Sequence, residues 1–245
     1  MSWEIVCAIS LGIVILVTII SIFGLFGLES IRTVSDKIDV WVNAIPLTFS
    51  IWGVILGFQI VSITLSFIYP DKWVGIIGPW YVLLSIFYVL WLVSFGLGFP
   101  KLSYFMVIAM TTCLAGIYSQ LQIYYFSAGF IKTWGYNVPF SLYLGWCTAA
   151  WMLNFFAVRE GSDRNSQIGE TFFMVIPVLC VPVVVLLFYF NDVVFAIAIV
   201  WGLIGIFAYS TGSDEPERKK IASGALVGIL AIGMFILFVA LFRFF

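Results

Sequence analysis

No Asp, Glu, Lys or Arg interrupts the chain between Ile5 and Leu28. The same holds for seven later stretches: Ile45–Tyr69, Ile76–Gly98, Ser103–Phe126, Val138–Val158, Phe172–Phe190, Val193–Ser210 and Ile221–Phe242. Each comes close to the 20 or so helical residues that cross a hydrocarbon core of about 30 Å. Lipid offers the backbone no hydrogen-bond partner, so such segments must be helical. With 63% hydrophobic residues in 245, no soluble domain could hide the apolar surface. The fold expected is an all-α, polytopic transmembrane bundle of about eight spans. The first stretch is too long for the apolar region of a signal peptide, and MSWE before it lacks Lys and Arg.

The charges set the sidedness. The loops after spans 1, 3, 5 and 7 hold Arg32, Lys37, Lys101, Arg159, Arg164, Arg218, Lys219 and Lys220; the other side holds Lys72, Lys132 and Arg243. The positive-inside rule puts both termini on the non-cytoplasmic side of an unspecified membrane. No ionisable side chain sits at membrane depth. Asp192, in the turn between spans 6 and 7, comes nearest, which speaks against a carboxylate-driven pump. Transport by neutral groups and backbone stays open.

Net charge is −1, and no basic surface points to nucleic acid. Histidine is absent, which removes His-based catalysis and most zinc sites. Cys7, Cys113, Cys147 and Cys180 lie in apolar runs without a CxxC pair, as packing thiols do. No nucleophile–base pair is visible, so an enzyme is not expected.

Between the first two spans, Ile31, Val34, Ile38, Trp41 and Val42 recur at helical spacing within 29–43. The segment reads as a short helix on the membrane surface or over a bundle mouth, or as an ordinary connecting loop. Pro46, Pro79 and Pro139 fall in the first turns of spans 2, 3 and 5, where a missing N–H costs little; Pro177 and Pro182 should bend span 6. The polar run 161–170 divides a five-span unit, 1–160, from a three-span tail, 161–245.

In span 5, Pro139, Tyr143, Trp146, Cys147, Ala150 and Asn154 share a face about 100° wide. An unpaired amide is costly in hydrocarbon, so this face should look into the bundle. Asn154 reads either as interhelical glue, worth about 0.6–2 kcal/mol, or as a ligand contact. Thr48, Trp52, Leu56 and Gln59 form a matching face in span 2, and Thr111, Ala115, Tyr118, Gln122 and Tyr125 in span 4. Span 3 adds Trp80, Tyr81, Phe87, Tyr88, Trp91 and Phe95. An aromatic interior with a few neutral polar groups suits flat apolar ligands. Trp3, Trp73 and Trp134 fit interfacial anchors.

Two stretches carry a resemblance. PLTFSIWGVILG (46–57) resembles the second-helix signature of the TspO/MBR family of translocator and tryptophan-rich sensory proteins. PFSLYLGWCTAAWMLNFFAVRE (139–160) resembles its fifth-helix signature, with the same spacing from Trp146 to Asn154. The resemblance implies a TspO-like five-helix core, longer than usual by three helices, and a cavity that takes tetrapyrroles, sterols or synthetic aromatics beneath the loop after helix 1. Carried over by position, Trp52, Trp146, Ala150, Leu153 and Asn154 would line it; Phe49, Gln59, Trp91 and Tyr143 complete the candidate set. The expected function is binding of a hydrophobic or aromatic molecule by a sensor, carrier or regulator. No resident cofactor is expected beyond a non-covalent porphyrin- or haem-type ligand. The partners are the lipid bilayer and that small molecule, and a homodimer is compatible. The alternatives are a small-solute transporter and a structural or assembly subunit.

Overall fold

A computed structural model describes residues 2–38, 40–69, 73–125, 129–159, 178–185 and 192–242. The long helices are α1 (Trp3–Ile22), α3 (Ile51–Ile68), α4 (Trp73–Gly96), α5 (Pro100–Tyr125), α6 (Val138–Val158), α7 (Val193–Thr211) and α8 (Pro216–Phe242), with a short α2 (Ile31–Lys37) after the first. Seven described segments, each built on one of these long helices, are long and apolar enough to cross a membrane. The chain is an integral membrane protein. The expected span Phe172–Phe190, with Pro177, lies largely outside the described residues; within it 178–184 are helical.

Helix ends follow local chemistry more than hydropathy. α1 stops at Ile22, before Gly24 adopts φ +64°. α4 begins at Trp73, earlier than expected, so Pro79 lies inside the helix rather than in its first turn. α8 begins at Pro216 and takes Glu217–Lys220, expected in a loop, as its first turn. Pro46 opens a 3-10 turn, Pro46–Ser50, that leads into α3. Pro139 follows a π turn, Thr133–Asn137, that runs straight into α6.

α6 is the axis of the bundle. Seventeen of its 21 residues are buried, so the expected inward stripe was too narrow: protein surrounds the helix. On one side it meets α7 through small residues. A Cβ on Gly145 would come within 2.4 Å of the Phe195 carbonyl oxygen, and one on Gly202 within 3.0 Å of the Ala149 Cβ. Gly145 and Ala149 thus face Ala198 and Gly202, the small-xxx-small geometry that lets membrane helices approach closely. These pairings rise together in number, so α6 and α7 run in the same direction. Such an arrangement fits a chain that crosses an even number of times.

α4 turns Tyr81, Leu84, Tyr88, Trp91, Leu92 and Phe95 inward, whereas Trp80, Leu83 and Leu90 face outward. Trp80 therefore belongs to the outer surface and not to the aromatic interior. Buried residues of 1–160 and of α7 and α8 belong to one apolar cluster. Trp3 and Trp134 are exposed, as anchors are.

The segment from Leu28 to Ile45 folds over one end of the bundle. Val40, Trp41, Val42, Asn43 and Ala44 are buried, so of the expected alternatives the structure shows the cover over the bundle mouth: the short helix α2 continues into a buried stretch, and together they form a strap. Arg32, Lys37, Lys101, Arg159, Arg218, Lys219 and Lys220 gather at the strap end; Lys132 lies at the other.

Candidate functional site

Under the strap, α3, α4 and α6 supply a nest of rings. Trp52 is its hub, with ring centroids 5.0 Å from Trp91, 5.2 Å from Tyr88, 5.7 Å from Tyr143 and 6.1 Å from Trp146. Phe49 meets Trp146 edge-on at 6.4 Å. Such edge-to-face and tilted pairs add about 0.5–1.5 kcal/mol each beyond burial. The residues converge because Trp52 and Phe49 lie on consecutive turns running into α3, while Tyr143, Trp146, Ala150 and Asn154 share one stripe of α6.

Asn154 joins three helices. Its Oδ1 accepts from Trp91 Nε1 at 3.1 Å and from Ser103 Oγ at 3.4 Å, and its Nδ2 donates to the Ala150 carbonyl at 2.9 Å. With both ends of the amide engaged, its structural work is the glue reading.

Seven of the nine candidates line one recess: Phe49, Trp52, Trp91, Trp146, Ala150, Leu153 and Asn154. The strap closes it with Ile31, Ser35, Ile38, Val40, Val42 and Asn43. Tyr143 packs on Trp52 beneath it without reaching the wall. Gln59 lies two turns further along α3, buried, with both amide atoms unpartnered. The recess holds about 30 Å³, close to the share of one water in the liquid. Its own indoles fill the space that a ring-shaped molecule would need. No ionisable side chain lines it. The described residues hold no group of three His, Cys, Asp or Glu that could bind a metal.

One donor in the recess is left unanswered. Trp146 is fully buried, and its indole N–H has no hydrogen-bond partner. A buried donor without an acceptor costs about 1–3 kcal/mol. All the surrounding ring contacts leave that cost in place.

Sequence reasoning missed how the strap is held. Ser35 Oγ donates to Asn43 Oδ1, Asn43 Nδ2 returns to the Ser35 carbonyl, and the Ala44 N–H also donates to Asn43 Oδ1, all at 2.8–2.9 Å. The Glu29 N–H donates to the Gly96 carbonyl at 3.1 Å, and Lys37 pairs with Glu29. Further along, the Ile45 N–H reaches the Gly205 carbonyl at 3.3 Å, and Trp201 Nε1 reaches the Thr48 carbonyl at 2.8 Å. From α8, the Arg218 guanidinium lies 4.8 Å from the Tyr209 ring centroid and 6.0 Å from that of Trp41. Apolar periodicity in 29–43 signalled that the segment packs; nothing in it signalled Asn43 as the internal clasp.

A family model described as TSPO-like protein matches residues 4–239, nearly the whole chain. No curated protein and no solved structure matches it.

Proposed function

The chain belongs to the TSPO-like protein family, and from that membership and the strapped recess we propose that it binds a hydrophobic, aromatic or tetrapyrrole-like molecule as a membrane sensor, carrier or regulator. The observation that carries this reading is the buried Trp146 N–H, without an acceptor, inside an aromatic recess covered by a strap with its own internal clasp. The closed recess holds little more than a water. Binding of a ring system therefore proceeds through a form in which the strap lifts, and apparent affinity is reduced by the fraction of molecules in that form. Apolar contact supplies most of the affinity, and the indole N–H orients an acceptor on the ligand.

Quenching of tryptophan fluorescence by protoporphyrin IX in detergent tests this. Trp146→Phe keeps a ring and removes the donor, so affinity falls roughly three- to tenfold, the net worth of one hydrogen bond. Asn43→Ala frees the strap and raises the association rate severalfold. If saturable quenching persists unchanged in both variants, the ligand lies elsewhere.

The cation-rich strap end is assigned to the cytoplasmic side, with both termini opposite. A membrane-impermeant maleimide applied to intact cells should label Ser2→Cys, and Thr33→Cys only after permeabilisation. The reverse pattern overturns the assignment.

A further inference from the structure

The strap is tied down from outside the five-helix unit. Val40 and Val42 line the recess, and Trp41 between them does not. The buried Trp41 ring instead meets the C-terminal helices: the Arg218 guanidinium of α8 lies 6.0 Å from its centroid and 4.8 Å from that of Tyr209 in α7. Both distances are within the reach of a cation–π attraction, about 6 Å. Arg218 thus joins the strap, α7 and α8. The root of the strap rests on α7 as well, since the Ile45 N–H bonds to the Gly205 carbonyl and the Thr48 carbonyl accepts from Trp201. A Cβ on Gly205 would stand 2.0 Å from Thr48 Oγ1, so a glycine is what lets the root come down on that helix.

Arg218 is not placed for the sake of its own helix. It lies in the first turn of α8, which begins at Pro216, and a cation there opposes the helix dipole. Its ion pair with Glu215 spans 3.7 Å, and the Glu215 side chain is 51% exposed, so that pair contributes little. The Arg218 side chain is only 20% exposed, whereas Lys219 and Lys220 beside it are 62% and 61% exposed. Of the three cations in that turn, Arg218 is the one folded inward, and a cation–π contact strengthens as it is desolvated. We propose that Arg218 is the latch of the strap: through it α8 holds Trp41 down, and the C-terminal helices set how often the recess opens. The latch is a property of the ligand-free protein; its regulatory consequence rests on the reading of the recess as a ligand site.

Hydrogen–deuterium exchange of the ligand-free, full-length protein in phospholipid nanodiscs tests the latch. The amides of residues 40–45 exchange when the strap lifts. Arg218→Met keeps an apolar stem and removes the charge, so exchange there rises roughly three- to tenfold. Arg218→Lys keeps the charge and stays within about twofold of wild type. Trp41→Leu also raises the exchange, and adding Arg218→Met to it raises it no further, because the contact is already gone. Tyr209→Leu takes the place of Trp41→Leu if that variant does not fold. Unchanged exchange in Arg218→Met, an equal rise in Arg218→Lys, additive effects in the double variant, or the same rise throughout α3, α4 and α6 would each overturn the proposal. Protoporphyrin IX should also associate severalfold faster with Arg218→Met than with wild type. If quenching fails to saturate in both proteins while exchange behaves as expected, the ligand reading falls and the latch stands. Unchanged exchange with saturable quenching does the reverse.

Discussion

Gly145→Leu should leave no folded bundle to purify. The position offers no tolerance: even a Cβ would stand 2.4 Å from the Phe195 carbonyl oxygen and 2.9 Å from the Ala198 Cβ. Both obstacles belong to a helix backbone or its first carbon, so no rotamer change relieves them. Overpacking of a well-filled core ordinarily costs about 1–3 kcal/mol. Here the added side chain must separate α6 from α7, and Trp201 and Gly205 of α7 hold the root of the strap. Gly145→Ala is the milder member of the pair and should lower the melting temperature in detergent. Gly57→Ala, whose Cβ meets nothing within 4 Å, should be neutral or slightly stabilising. A monodisperse chromatographic profile for Gly145→Leu, with wild-type thermal stability, would show that the two helices do not meet this way.

Trp52→Ala is the second large effect. Trp52 touches four aromatic rings and is nearly fully buried. In lipid, helix association rests on packing rather than on exclusion of water. The loss is therefore mainly of contacts, plus the space left behind. For a large aromatic cut to Ala the cost is about 3–5 kcal/mol. The same substitution opens the crowded recess by the volume of one indole. Free indole at millimolar concentration should occupy that space and recover part of the lost thermal stability, by mass action on the folded form. A variant that melts like wild type and ignores indole would contradict the ring nest. The outward-facing Trp80 supplies a contrast: Trp80→Ala should cost much less.

The spans were legible because the bilayer imposes one length and one polarity on every crossing. The end of α6 at Val158 and the start of α7 at Val193 follow directly from where the apolar run stops or starts, helped at α7 by Asp192 as N-cap. Convergence of Trp52, Trp146 and Asn154 was also readable, from helical spacing and from short motifs carried at that spacing. Packing density was not. Nothing in a sequence says whether three indoles and two phenols surround a space or occupy it, since that depends on ångström-scale approach. The environment of α6 illustrates the same limit. Its polar stripe marked one inward face, but Gly145 and Ala149 on another face signal close approach only once Ala198 and Gly202 are known to stand opposite. Gln59 shares a stripe with Trp52 by angle and is separated from it by depth, which periodicity does not measure. The clasp at Asn43 reaches from a stretch outside any helix to Ser35, eight residues away in α2, beyond the reach of any pattern.

The enclosure of α6 by protein has a consequence for how this chain is made. Its segment, Phe130–Val158, has a mean hydropathy of 1.2, the lowest of the seven, against 3.0 for α1. A helix whose surroundings are mostly other helices has little need to be greasy. During synthesis, however, it leaves the ribosome before α7 exists. For that interval it must be retained in the membrane by α5 and by Arg159 at its trailing end. Biogenesis thus passes through an intermediate whose least lipid-soluble segment awaits its last neighbour, and chains truncated after Arg159 should be the preferred prey of membrane quality control.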